Sequence, residues 1–164
     1  MRSLVLMRHA TAVTDLSMPD RDRPLTEAGR AQAASAGRMF TTLGITHVLC
    51  SSALRTRETT ACLALPGEPE VETLPSLYLC GTNTLLQHIA DIPDDVTSLL
   101  VVAHSPTVPG LAARMVSGAS PRVAEDIWGH FPPASWARFV IDGGWDALGR
   151  MPYALASLVH VERP

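Results

Sequence analysis

Ser3-Leu4-Val5-Leu6-Met7-Arg8-His9 is the stretch that decides the fold. Four apolar residues follow one another without alternation and run straight into a cation and an imidazole. A strand that is apolar at every position must be buried on both faces. That is the mark of a central, parallel strand in an α/β sheet. Ligands of such sheets bind beyond the carboxyl ends of the strands, so Arg8 and His9 stand where that geometry puts a site. Taken alone, the dipeptide also reads as two solvated residues at an ordinary strand exit.

Two further segments repeat the pattern. Val48-Leu49-Cys50 leads into Ser51-Ser52-Ala53-Leu54-Arg55, and Leu99-Leu100-Val101-Val102-Ala103 leads into His104-Ser105-Pro106. If the three strands are parallel neighbours, their exits converge and bring Arg8, His9, Arg55 and His104 to one rim. Such a group would repel itself unless an anion with several oxygens sat among it, and a phosphoryl group fits that requirement. Guanidinium forks match its oxygens two at a time, and helix N-termini at the strand exits add donors.

Composition bounds the other possibilities. A chain of 164 residues with 46% hydrophobic and 18% charged side chains is expected to form one domain, residues 1–164, with a substantial core. A net charge of −3 argues against broad nucleic-acid binding. The apolar runs are too short to span a membrane, and the short apolar start does not read as a signal peptide, so a cytoplasmic location is expected. Cys50, Cys62 and Cys80 are odd in number and lack a CxxC motif, which suggests reduced thiols rather than a redox or metal centre. His47, His88, His130 and His160 share no ligand spacing along the chain, so no metal site is expected. Trp128, Trp136 and Trp145 read as packing residues.

Alternation of strand-like and helix-like stretches indicates an α/β fold. Thr11 to Pro24 is polar and proline-punctuated, an irregular loop over the site. Thr26 is placed as the N-cap of a helix running to about Leu43, and Gly44 as its terminator. Helices are also expected at about 54–65, 84–92 and 107–116, with a short strand at 71–74. In the tail, Trp136 to Val140 alternates, Asp142-Gly143-Gly144 suggests a hairpin-like turn, and a last strand at about 154–161 should pair antiparallel at the sheet edge.

At this point the sequence resembles a known family. Leu6-Met7-Arg8-His9-Ala10 is similar to the Arg-His-Gly signature of the histidine phosphatase superfamily, with Ala10 in place of the glycine. Ser51 through Thr59 resembles that family's Ser-Pro-x-x-Arg block, with Ser52 for proline. Val102-Ala103-His104-Ser105-Pro106 is similar to the block that carries its second histidine. Arg21 through Gly29 matches a segment of the small bacterial phosphohistidine phosphatases, the SixA-like branch. The resemblance spans Leu4 to about Met115, with the blocks in order.

It implies a phosphoglycerate mutase-like, three-layer α/β sandwich with a mostly parallel central sheet. It also implies a metal-independent phosphatase with no cofactor, in which His9 becomes transiently phosphorylated. Arg8 and Arg55 would clamp the phosphoryl oxygens, and His104 would donate to them. Arg23 would face the pocket from the loop, although Arg21 could serve instead. Ser52 would offer its hydroxyl or N–H, or else act as an ordinary helix cap. Larger family members carry a carboxylic acid just after the third strand to protonate the leaving group. Here Leu74 to Gly81 holds no carboxylate, and only Asp15, Asp20 or Asp22 in the loop could substitute. A leaving group that departs without an acid is therefore favoured. Phosphohistidine on a protein, such as a histidine phosphotransfer domain, is the expected substrate. The alternatives are a broad-specificity phosphomonoesterase acting on small phosphate esters and a phosphate-binding module without turnover.

Overall fold

The computed structural model describes residues 1–164. Strand β1 (Arg2–Arg8) is followed by α1 (Glu27–Phe40), β2 (His47–Ser51), α2 (Leu54–Cys62), β3 (Glu70–Leu74) and α3 (Thr82–Ala90). Then come β4 (Ser98–Ala103), α4 (Thr107–Val116), α5 (Pro121–Gly129), β5 (Trp136–Ile141), α6 (Trp145–Arg150), α7 (Pro152–Leu155) and β6 (Ala156–Glu162). One sheet runs in the order β3-β2-β4-β1-β5-β6. Its first four strands are parallel, while β5 is antiparallel to β1 and β6 antiparallel to β5.

The uninterrupted apolar runs are explained by the two faces of this sheet. Leu4, Leu6, Leu49, Leu99 and Val101 point into a core shared with α3, α4, α5 and α6. Val5, Met7, Val48, Leu100 and Val102 point into a second core beneath α1 and α2. Neither face is left to water, so the middle of β1 (Leu4–Met7) and of β4 (Leu99–Ala103) is apolar throughout. The three-layer expectation holds, and β2, β4 and β1 lie side by side.

Helix α1 begins as expected. The Thr26 hydroxyl accepts a hydrogen bond from the Gly29 N–H at 2.9 Å. It ends at Phe40, earlier than the sequence suggested, and Gly44 takes its positive φ of 60° in the turn beyond. Two glycines on its buried face permit a close approach. A Cβ at Gly37 would lie 1.9 Å from the Leu63 carbonyl oxygen, and one at Gly29 would lie 2.0 Å from that of Thr11.

The tail departs from expectation. Asp142-Gly143-Gly144 does not close a hairpin but leads into α6 and α7 before β6 begins. The reason is Trp145, which is fully buried and donates from its indole N–H to the Val96 carbonyl at 2.8 Å. Burying that side chain pulls the connection onto the core. The final strand does occupy the sheet edge, antiparallel to β5.

Backbone contacts that tight cannot relax around a methyl group, so Gly37→Ala should destabilise the fold by about 2 kcal/mol or more. Gly81→Ala, at a position with open space around it, should stay within about 0.5 kcal/mol. Urea unfolding of the two variants checks this.

Candidate active site

Because β1, β2 and β4 are parallel neighbours, their carboxyl ends meet on one rim. There Arg8, His9, Arg23, Arg55 and His104 line a cleft of ≈ 330 Å³. The structure thus brings together the residues that the three strand exits suggested. A groove of similar size, ≈ 340 Å³ between α2 and β3, is lined by Cys50, Leu65 and Val71 and shares no residue with the cleft.

His9 is 7% exposed and its ring is fixed by two contacts. Nδ1 lies 2.8 Å from the Ala10 carbonyl oxygen, which can only accept, so Nδ1 carries the proton. Nε2 is left as the lone-pair nitrogen and accepts from the Arg55 Nε–H at 3.3 Å. The loop holding Ala10 is itself tied to α2, since the Ala10 N–H donates to the Thr59 hydroxyl at 3.0 Å. Burial pulls the His9 pKa down to about 3, with His104, Arg55 and Arg8 pushing the same way. His9 is therefore a neutral imidazole at ordinary pH, as a nucleophile must be.

His104 is buried, with its ring centroid 5.4 Å from that of His9. Its Nε2 is 2.7 Å from the hydroxyl of Ser51, a fully buried residue at the end of β2. Its buried Nδ1 has no protein partner, and neither has the buried Nε of Arg8. Buried polar atoms are almost always satisfied, so two unpaired ones at the same cleft mark it as built around a polar ligand. Burial, followed by the Arg55 charge, lowers the His104 pKa to about 4. Arg8 is anchored by a bond from its NH1 to the Phe131 carbonyl at 2.9 Å. Burial and the Arg55 charge lower its pKa as well.

Arg55 is 4% exposed and does not pair with Glu58, which instead meets Arg30. Its NH1 donates to the Asp20 carbonyl at 2.7 Å and its NH2 to the Asp20 carboxylate at 3.1 Å. The loop from Thr11 to Pro24 thus does fold over the site, through a 3-10 turn at Asp20–Asp22. Asp20 is its hub. The same carboxylate accepts from the Tyr78 hydroxyl at 2.6 Å and from Arg23 Nε and NH2 at 3.0 and 2.8 Å. The Tyr78 bond and the two arginines hold its carboxyl well below the usual carboxylate range.

Arg23 lines the cleft, whereas Arg21 stacks over the Tyr78 ring at 5.3 Å. Ser52 is not among the cleft residues and does not cap α2. Its hydroxyl accepts from Arg21 NH2 at 3.3 Å, because Ser51, one residue earlier, is the one that faces inward. Ser51, Thr59 and Tyr78 escaped the sequence reading as site residues, and Asp20, named there with Asp15 and Asp22 as a substitute acid, is instead the partner of Arg55. Ser51 and Thr59 sit inside the recognised block, and that block was the available signal. Tyr78 carries no signal outside the fold.

His47, which shares no ligand spacing along the chain, has two carboxylate neighbours across the sheet. Parallel pairing sets His47 opposite Glu70 with Glu72 two residues on, and their ligand atoms lie within 4.8 Å of one another. This cluster lies at the opposite ends of the strands from the cleft. His47 is buried and held by the Glu72 carboxylate at 2.5 Å. Spacing along one chain segment could not reveal it, because strand register creates it.

Comparison with known proteins agrees with this geometry. Residues 4–78 match the family model of the histidine phosphatase superfamily (branch 1). The chain belongs to that superfamily and is a phosphatase of the histidine phosphatase type. It is 33% identical over 126 residues to the phosphohistidine phosphatase SixA of Escherichia coli K12, covering 71% of this chain and 75% of that protein. An uncharacterized protein of Mycobacterium tuberculosis H37Rv is 34% identical, with 85% and 89% covered. Among solved structures, a protein of Nakamurella multipartitia provisionally assigned as a phosphohistidine phosphatase SixA superposes with a TM-score of 0.85. It has 33% identity, and 99% of this chain and 96% of that one are covered.

Lowered histidine pKa values make stability depend on pH with a definite sign. Unfolded histidines bind protons below about pH 6.5, whereas His9 and His104 resist protonation down to about 3 and 4. Stability should therefore fall as pH drops from 6.5 towards 4.5. Inorganic phosphate, by favouring the charged rings, should oppose the fall. Melting temperatures across that window will test this, and the slope should flatten in His9→Gln.

Proposed function

We propose that this chain hydrolyses phosphohistidine on a protein, through a covalent intermediate on His9 and without a metal ion. The observation that carries the reading is the single tautomer of His9. Its proton is committed to Ala10, and its unprotonated Nε2 accepts from Arg55 in a cleft where Arg8 Nε and His104 Nδ1 have no protein partner. As the phosphoryl group enters, Arg8, Arg55 and His104 would hold its oxygens. Charge-assisted hydrogen bonds of this kind contribute about 1.5–3 kcal/mol each.

The lone pair of Nε2 then attacks phosphorus in line, and the bond from phosphorus to the leaving atom breaks with its electron pair. The positive charge that develops on the His9 ring is stabilised through Nδ1–H and the Ala10 carbonyl. Water next attacks the phosphohistidine, releasing phosphate, giving its proton to solvent and restoring neutral His9. The arginines supply the positive charge that a metal would otherwise bring.

Substrate preference follows from the acid. Asp20 is the one loop carboxylate bound to Arg55, yet its surroundings hold it ionised, so it has no proton to give at neutral pH. An alkoxide would leave slowly from such a site. A phosphohistidine takes a proton from solvent on its second ring nitrogen near pH 6.5, and its ring then leaves as neutral imidazole with no acid from the protein. The SixA relatives, named as phosphohistidine phosphatases, support the same assignment. A protein-borne substrate also suits a rim position for the cleft, with His9 near its floor.

His9→Ala should lose turnover by at least about a thousandfold while still binding phosphate or tungstate, which calorimetry can measure. Undiminished turnover in that variant would contradict the mechanism.

A leaving-group series tests the missing acid. Rates for substituted phenyl phosphates and alkyl phosphates should fall steeply as the leaving group becomes more basic, and Asp20→Asn should keep that steepness. A flat series that collapses in Asp20→Asn would make Asp20 the acid. EDTA should not inhibit, and restoration of EDTA-lost activity by a divalent ion would contradict metal independence.

A further inference from the structure

Two recesses open off the phosphoryl cleft. One, of ≈ 340 Å³, is walled by loop residues that include Asp15 and Asp20 and shares Thr14 and Arg23 with the cleft. The other, of ≈ 270 Å³, is walled by Trp128, His130, Phe131 and Pro132 and shares Arg8 and Ser105 with the cleft. In-line attack from His9 Nε2 sends the leaving group away from the buried imidazole and out through the mouth. These two recesses adjoin that mouth. The first holds Asp15 and Asp20 with Arg23 paired to Asp20, so its lining keeps one unmatched carboxylate towards a substrate that is already anionic.

The second presents an aromatic surface. The sequence reading assigned all three tryptophans to packing, but only Trp136 and Trp145 are buried, and Trp128 is 60% exposed. Its ring edge is seated against α4, with Cζ3 3.2 Å from where a Cβ at Gly110 would stand. The rest of the indole is left to solvent. The wall beside it is fixed rather than mobile. Arg8 donates to the Phe131 carbonyl, Arg163 donates to the His130 carbonyl at 2.8 Å, and the Ala134 N–H donates to the His9 carbonyl at 2.9 Å. One guanidinium, that of Arg8, thus stands between a phosphoryl-binding cleft and an aromatic recess.

We propose that the Trp128 recess receives a planar aromatic or heteroaromatic ring that carries the phosphoryl group, and so sets the leaving-group specificity of the enzyme. The proposal rests on the reading that Arg8, His9, Arg55 and His104 take the phosphoryl group. A histidine imidazole on a protein and a phenyl ester share the required ring chemistry.

Phosphonates separate ring binding from turnover. Phenylphosphonate should bind wild-type protein about three- to tenfold more tightly than methylphosphonate, the range one aromatic pair contributes. Trp128→Ala should remove that difference, and Trp128→Phe should restore most of it. In turnover, Trp128→Ala should lower kcat/KM about three- to tenfold for a phosphohistidine peptide and for phenyl phosphate. Phosphoramidate, which has a P–N bond but no ring, should change less than twofold. A loss confined to the peptide, or to the phenyl ester, would identify the ring source that the recess prefers.

Equal affinity for the two phosphonates in wild type, or an equal change for ringed and ringless ligands in Trp128→Ala, would overturn the proposal. Failure of both phosphonates to bind would remove the phosphoryl cleft and the ring recess together. Methylphosphonate binding without a phenyl advantage would remove the recess alone.

Discussion

Arg8, His9, Arg55 and His104 are held together against their own electrostatics by the packing of three parallel strands. Burial opposes charge on each imidazole, and the arginines oppose it further. Nothing in the cleft would gather these groups if the sheet did not. The energy comes from the apolar side chains that β1, β2 and β4 bury on both faces. Strand order matters as much as composition. With β4 between β2 and β1, the second histidine enters the rim between the nucleophile and the helix that bears Arg55. On the proposed mechanism, a phosphoryl group among these residues would relieve the crowding, so the same repulsion would favour its binding.

Part of the relief comes from within the chain. Asp20 reaches Arg55 through both its carbonyl and its carboxylate, and it draws Arg23 and Tyr78 to the same point. The carboxylate acts as an internal counter-ion that fixes the loop over the cleft. An entering phosphoryl group offers more oxygens and a larger charge to the same guanidinium. On the proposed mechanism it would compete on favourable terms, and the loop would yield some of its contacts to Arg55.

What the sequence made legible follows from the range of each interaction. Unbroken apolar runs identify two-sided burial from within a single strand, and a cation or imidazole at the end of each run identifies the rim. The cap at Thr26 and the helix start at Thr107 are local and were equally readable. The partners of Asp20, the place of Tyr78 and the His47 cluster were not, because each depends on side chains brought together from separate segments. Two adjacent serines divide the same way. Ser51 and Ser52 are chemically identical, and only the strand's alternation decides which one meets His104. The tail was misread because a turn signal, Gly143-Gly144, was outweighed by the burial of the next residue, Trp145.

The margins of the sheet carry a consequence of their own. Strand β3 forms one free edge, and Glu70 and Glu72 stand on it beside His47. The other edge is β6, whose pairing with β5 is interrupted by a register shift at Arg138/Phe139. Unpaired edges invite another chain to add a strand, and carboxylates or irregular pairing are the common safeguards. A second copy approaching β3 would meet like charges, and one approaching β6 would meet a strand whose register is broken. The fold thus concentrates its flat, apolar, aggregation-prone strands at the centre and guards both borders.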